Sequence, residues 1–83
     1  MPGYCYILYS QKLDKYYVGS TSGMDRRLHE HNRGKEKFTR TGIPWLLCYS
    51  ETLTDLSSAR KRELEIKKKK SRKYIEALIS SVQ

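Results

Sequence analysis

Two periodicities divide the chain. Residues 4–10, YCYILYS, are apolar or aromatic at odd and even positions alike, the pattern of a strand covered on both faces. KYYVGS at 15–20 is its natural partner across the polar QKLD. An even-length loop there sets the expectation that Tyr6 stands opposite Tyr17, because paired residues point to one face. The period then changes. Ser22 with Asp25 three positions on forms a weak capping box, Gly34 offers a stop, and the interval predicts a helix over about 23–33. At about 100° per residue, Met24 and Leu28 make its buried stripe, with Arg27 and His31 at the margin and His29 and Arg33 on the far side. His29 is therefore expected in solvent and His31 along the edge of the sheet.

RGKEKFTRTG at 33–42 has loop composition, with four basic residues around Phe38. After Pro44, WLLCYSE (45–51) reads as a third strand, again apolar on both parities, so the sheet needs helices on both sides. TDLSSARKRELEIKKKK opens with cap-type residues and continues as a helix whose stripe runs through Leu56, Ala59, Glu63 and Ile66, with Glu65 opposite. Ser71 is placed to cap a last helix with Ile75, Leu78, Ile79 and Val82 along its buried side. The element order is β-β-α-β-α-α, and 83 residues suit a single domain spanning 1–83 with one modest core.

Charge narrows the partners. Seventeen Lys and Arg against nine acids give a net charge of +8, which on so small a body points to a polyanion, nucleic acid first and an anionic membrane second. No apolar run of about 18 residues is present, and MPGYCYILYS lacks the basic leader and cleavage site of a signal peptide, so a cytoplasmic protein is expected. Cys5 and Cys48 lie far apart in apolar strands, without zinc-site spacing, and are expected as two buried thiols.

Few residues can do chemistry. A carboxylate at Glu63, inside an apolar helix face, costs several kcal/mol unless a cation or hydrogen bonds compensate it. The simplest compensation is Lys67 one turn on; the alternative is a functional cation. Arg27 has nearby acids in Asp25 and Glu30, yet its place beside the stripe suits a guanidinium that holds phosphoryl oxygens. His31, one turn later, titrates in the right range to move a proton at neutral pH. Tyr6 and Tyr17 read singly as strand aromatics. As bases, phenols of ordinary pKa are only about 0.1% ionised at pH 7, so a cation would have to lower that value. Lys35, Lys37 and Arg40 in the loop, and Lys67, Lys70 and Arg72 further on, are candidates for phosphate contact, set against a plain solvated face.

In order, these residues resemble a known family. Tyr4-Cys5-Tyr6, then Tyr17-Val18-Gly19, then Arg27 eight positions after that glycine and Glu63 in the second helix, are similar to the GIY-YIG endonucleases, in particular the small stand-alone bacterial members. The resemblance runs from Tyr4 to about Ile79. It implies an α+β fold, a three-stranded antiparallel sheet flanked by about three helices, and hydrolysis of phosphodiesters with one divalent cation, Mg²⁺ or Mn²⁺. It also implies roles: Tyr6 and Tyr17 as the motif tyrosines, Arg27 as the family arginine, His31 as the histidine some members carry one turn later, and Glu63 as the metal ligand. Three positions differ from the family pattern. The first motif lacks its glycine and isoleucine, Ser20 stands where several members have lysine, and no asparagine follows Glu63.

The expected function is thus a metal-dependent endonuclease acting on nucleic acid, DNA foremost, with roles in DNA repair or mobile-element defence both compatible. The first alternative is a nucleic-acid-binding module of the same fold without turnover. A second is a domain whose basic face meets an acidic protein. With no added recognition domain in the chain, selectivity is expected from substrate shape or from a protein partner, and the sequence leaves the oligomeric state open.

Overall fold

The computed structural model describes residues 1–82. Its elements are β1 (Gly3–Ser10), β2 (Lys15–Thr21), α1 (Met24–Asn32), β3 (Trp45–Leu53), α2 (Leu56–Lys69) and α3 (Arg72–Ser80), with a 3-10 turn at Arg40–Gly42. The strands form one antiparallel sheet in the order β2-β1-β3, so the element order and the α+β class are those expected. β1 is central, which explains its unbroken apolar run. Cys5, Ile7, Val18 and Tyr49 meet Ile66 of α2 and the inner side of α3 on one face. Tyr6, Leu8, Tyr17 and Trp45 meet Met24, Leu28 and Ile43 on the other.

The hairpin register differs from expectation. The turn occupies 11–14 and closes on Ser10 and Lys15, which sets Tyr6 opposite Gly19 and Leu8 opposite Tyr17. The offset from the expected pairing is one pleat repeat, so both tyrosines still share a face. The start of α1 is also corrected. β2 extends to Thr21, whose hydroxyl accepts from the Gly23 amide at 3.1 Å, and Gly23 occupies the N-cap position with no side-chain cap; Ser22 lies too early to serve. Gly34 ends the segment with a positive φ of 80°, a conformation that favours glycine. Asp55 caps α2 by accepting from the Ser58 amide, and Ser71 caps α3 by accepting from the Tyr74 amide.

Two smaller expectations fail. Val82 falls beyond α3 and is exposed, so it adds nothing to the buried stripe. Cys5 is buried, and burial pushes its thiol up to about 11, but Cys48 is only partly covered because β3 is an edge strand.

Candidate active site

Gly19 and Tyr6 explain each other. A Cβ added at position 19 would lie 2.5 Å from the Tyr6 hydroxyl oxygen, so the phenol packs over bare backbone and any side chain there would displace it. The buried Tyr6 hydroxyl lies 3.0 Å from His31 Nε2, and His31 Nδ1 lies 2.8 Å from Thr39 Oγ1. One assignment of protons satisfies the chain: Tyr6 donates to Nε2, Nδ1–H donates to Thr39, and the Thr39 hydroxyl donates to the Glu36 carbonyl at 3.5 Å. His31 is accordingly fully buried, not at the sheet edge as expected, because both ring nitrogens find partners. Tyr17, only partly buried, completes the cluster, with ring centroids 5.1 Å from His31 and 6.5 Å from Tyr6.

Electrostatics separate these groups. Burial pushes the Tyr6 phenol up to about 12, and the Arg27 guanidinium beside it offsets this only in part. At Tyr6 desolvation outweighs the neighbouring cation, so Arg27 by itself does not bring this phenol down to the range of a base. His31 is lowered by burial and then by the charge of Arg27, so at neutral pH it is an uncharged imidazole. Burial alone would work against the charge of Arg27, but Tyr6, Glu36 and Glu30 outweigh it and the side chain stays protonated. Its guanidinium reaches Glu36 at 2.9 Å and Glu30 at 3.2 Å.

Glu63 approaches from the opposite layer. Ser20 shares the parity of Val18 and so faces α2, where its hydroxyl donates to Glu63 Oε1 at 2.6 Å. The other oxygen, Oε2, takes the Lys67 ammonium at 2.5 Å, and the same Nζ stands 5.9 Å from the centroid of the Tyr17 ring. Lys67 therefore joins the carboxylate to the tyrosine cluster around the open edge of β2. With its side chain 19% exposed, Glu63 keeps a path to solvent while one oxygen is fixed. No three potential metal ligands converge among the described residues, and the carboxylate placed to hold a cation here is that of Glu63. That donor set fits Mg²⁺, which binds through one or two carboxylates and keeps several waters.

The model of the GIY-YIG catalytic domain matches residues 2–75. The chain belongs to the GIY-YIG family. Among its relatives, a UPF0213 protein of Staphylococcus haemolyticus is 40% identical over 65 residues, covering 77% of this chain and 78% of the relative. Another, from Syntrophus aciditrophicus, is 43% identical over 68 residues, covering 78% and 76%. The solution NMR structure of a UPF0213 protein from Bacillus halodurans superposes with a TM-score of 0.59 at 34% identity, covering 96% of this chain and 84% of that one.

Within this GIY-YIG domain the basic residues fall into two groups. Lys35, Lys37 and Arg40 are exposed on the loop after α1, whose Glu36 and Thr39 touch Arg27 and His31. Lys67, Lys70 and Arg72 line a cavity of about 430 Å³ with Lys15, Tyr16 and Tyr17. Arg72 is less free than its neighbours, since it bonds Asp14 at 2.7 Å and Glu76 at 3.2 Å. Ser20, Thr39 and Glu36 escaped the sequence reading as site residues. Parity with Val18 was a usable signal for Ser20; Thr39 gave none, being joined to the site only through the fold.

Proposed function

We propose that the protein is a metal-dependent endonuclease that hydrolyses phosphodiesters of nucleic acid, DNA foremost. The observation that carries this reading is Glu63, a half-buried carboxylate fixed by Ser20 that already holds a cation, the Lys67 ammonium, beside the Tyr17 ring. In this reading water adds to phosphorus and the phosphorus–ester oxygen bond breaks, leaving a phosphate end and a hydroxyl end. Arg27, partly exposed and permanently charged, binds the non-bridging oxygens as negative charge grows on them. Tyr17 has the accessible phenol and orients water at the phosphate. Tyr6 and His31 lie behind it as a fixed hydrogen-bonded pair, so they position the accessible groups rather than meet substrate water. A Mg²⁺ bound through Glu63 would supply Lewis-acid stabilisation of the leaving oxygen. Lys67 then moves from the carboxylate to a phosphate, as its exposure permits.

The test is nicking of duplex, junction, flap and single-stranded DNA and RNA with Mg²⁺ or Mn²⁺. Glu63→Gln and Arg27→Ala are expected to abolish it with the circular dichroism spectrum unchanged, and retained cleavage in both would overturn the reading. One observation favours a second reading, binding without turnover: Arg27 is engaged by two carboxylates and Glu63 by Lys67. Salt-sensitive binding with no product on any of these substrates would select it.

A further inference from the structure

Phe38 is the chain's only phenylalanine, and it is 90% exposed. Every other aromatic residue, seven tyrosines and Trp45, is buried or partly buried. A lone exposed apolar residue is ordinary on a protein surface. Two features of its surroundings set this one apart.

The first is rigidity. The Thr39 amide donates to the Glu36 carbonyl at 3.2 Å, Trp45 Nε1 donates to the Thr39 carbonyl at 2.6 Å, and Arg40 Nε donates to the Gly34 carbonyl at 3.0 Å. The backbone on both sides of Phe38 is thus pinned, yet its ring is given nothing to pack on. The second is location. Glu36 bonds Arg27 at 2.9 Å and Thr39 approaches His31 at 2.8 Å, so residues on either side of Phe38 touch the site. Two residues of chain span at most about 7 Å, so the Phe38 backbone lies within about that distance of the residue that bonds Arg27. Lys35, Lys37 and Arg40 in the same loop are exposed cations.

A bare ring on a pinned loop among cations, two residues from the partner of an arginine suited to phosphate, has the chemistry of a stacking platform for a nucleobase. We infer that Phe38 stacks on a base adjoining the phosphate that Arg27 holds, and that the preferred substrate offers a base with a free face in an unpaired strand. This rests on the nucleic-acid reading above and extends it to a substrate class. Stacking requires a base face not already covered by its neighbour, which an uninterrupted duplex lacks. Lys35, Lys37 and Arg40 would track the phosphates on either side.

The test is fluorescence anisotropy, without divalent cation, on a labelled single-stranded oligonucleotide and on the uninterrupted duplex of the same sequence. Phe38→Ala, which removes no buried contact, is expected to weaken single-strand binding by about 5- to 100-fold and duplex binding by less than about twofold. The dependence of affinity on salt should stay the same, since the ring carries no charge. Phe38→Trp should restore affinity, with its added emission quenched on binding above the Trp45 background. Single-strand binding by Phe38→Ala within about twofold of the unchanged protein, no rescue by tryptophan, or equal weakening on the duplex would overturn the inference and leave the nuclease reading intact. An unchanged protein that neither binds nor cuts any of the nucleic acids would remove both.

Discussion

The absence of a side chain at position 19 decides where the Tyr6 hydroxyl can lie. Gly19→Ala puts a methyl 2.5 Å from that oxygen, so the phenol must move and the site with it. A loss of nicking of about 100-fold is expected, because misplacement by an ångström costs about that much. Single-turnover kinetics on a folded variant would measure it. His31 makes a prediction in pH. Burial and Arg27 hold its pKa below the ordinary 6.5 in the folded protein, so between those two values the unfolded chain binds more protons. Stability is therefore full above pH 6.5 and declines as pH falls toward the folded value. Urea midpoints from pH 7.5 to 5 should fall in the unchanged protein and remain flatter in His31→Gln. Removing the ring altogether is a separate matter. His31→Ala strands the Tyr6 and Thr39 hydroxyls in a buried cavity and should cost about 2–4 kcal/mol, read from the same denaturation curves.

At the scale of elements, capping separates what sequence shows from what it hides. Asp55→Ala, which removes the acceptor of the Ser58 amide at 2.7 Å, should cost about 1 kcal/mol, whereas Ser22→Ala should stay within about 0.5 kcal/mol because Ser22 caps nothing. Both serine- and aspartate-type signals looked alike in the sequence. α2 and α3 start where their caps predict, since a cap acts across three residues and needs no distant partner. α1 starts later than predicted because β2 runs on to Thr21 and claims the residues before it. The same rule governs the site. Glu63 stood out because an acid in an apolar stripe is a local anomaly, and its pairing with Lys67 was legible one turn away. Its pairing with Ser20, 43 positions distant, was not, since parity puts Ser20 on the α2 face without putting it beside Glu63. The burial of His31 was equally hidden, since it depends on Tyr6 and Thr39, brought in by the central strand and by a loop.

For the whole molecule, the nucleic-acid reading proposed above and the net charge of +8 together predict binding governed by counterion release. Not every cation should count equally. Replacing Lys35, Lys37 and Arg40 by alanine, exposed and beside the site, should lower the slope of log affinity against log salt by about one for each phosphate left without its cation. Arg72→Ala should change the slope less and the stability more, because that guanidinium already ties the hairpin turn at Asp14 to Glu76 of α3. Titrations at several salt concentrations, with urea curves alongside, distinguish the two. The turn at 11–14 carries a further implication through its length. One added residue taken up by the ladder and not by the turn would turn β2 over, sending Tyr17 to the α2 layer and Ser20 away from Glu63. Descendants of this chain are thus free to vary Gln11 and Lys12 in kind, while a change of length that reaches the ladder inverts the strand that carries Tyr17 and Ser20.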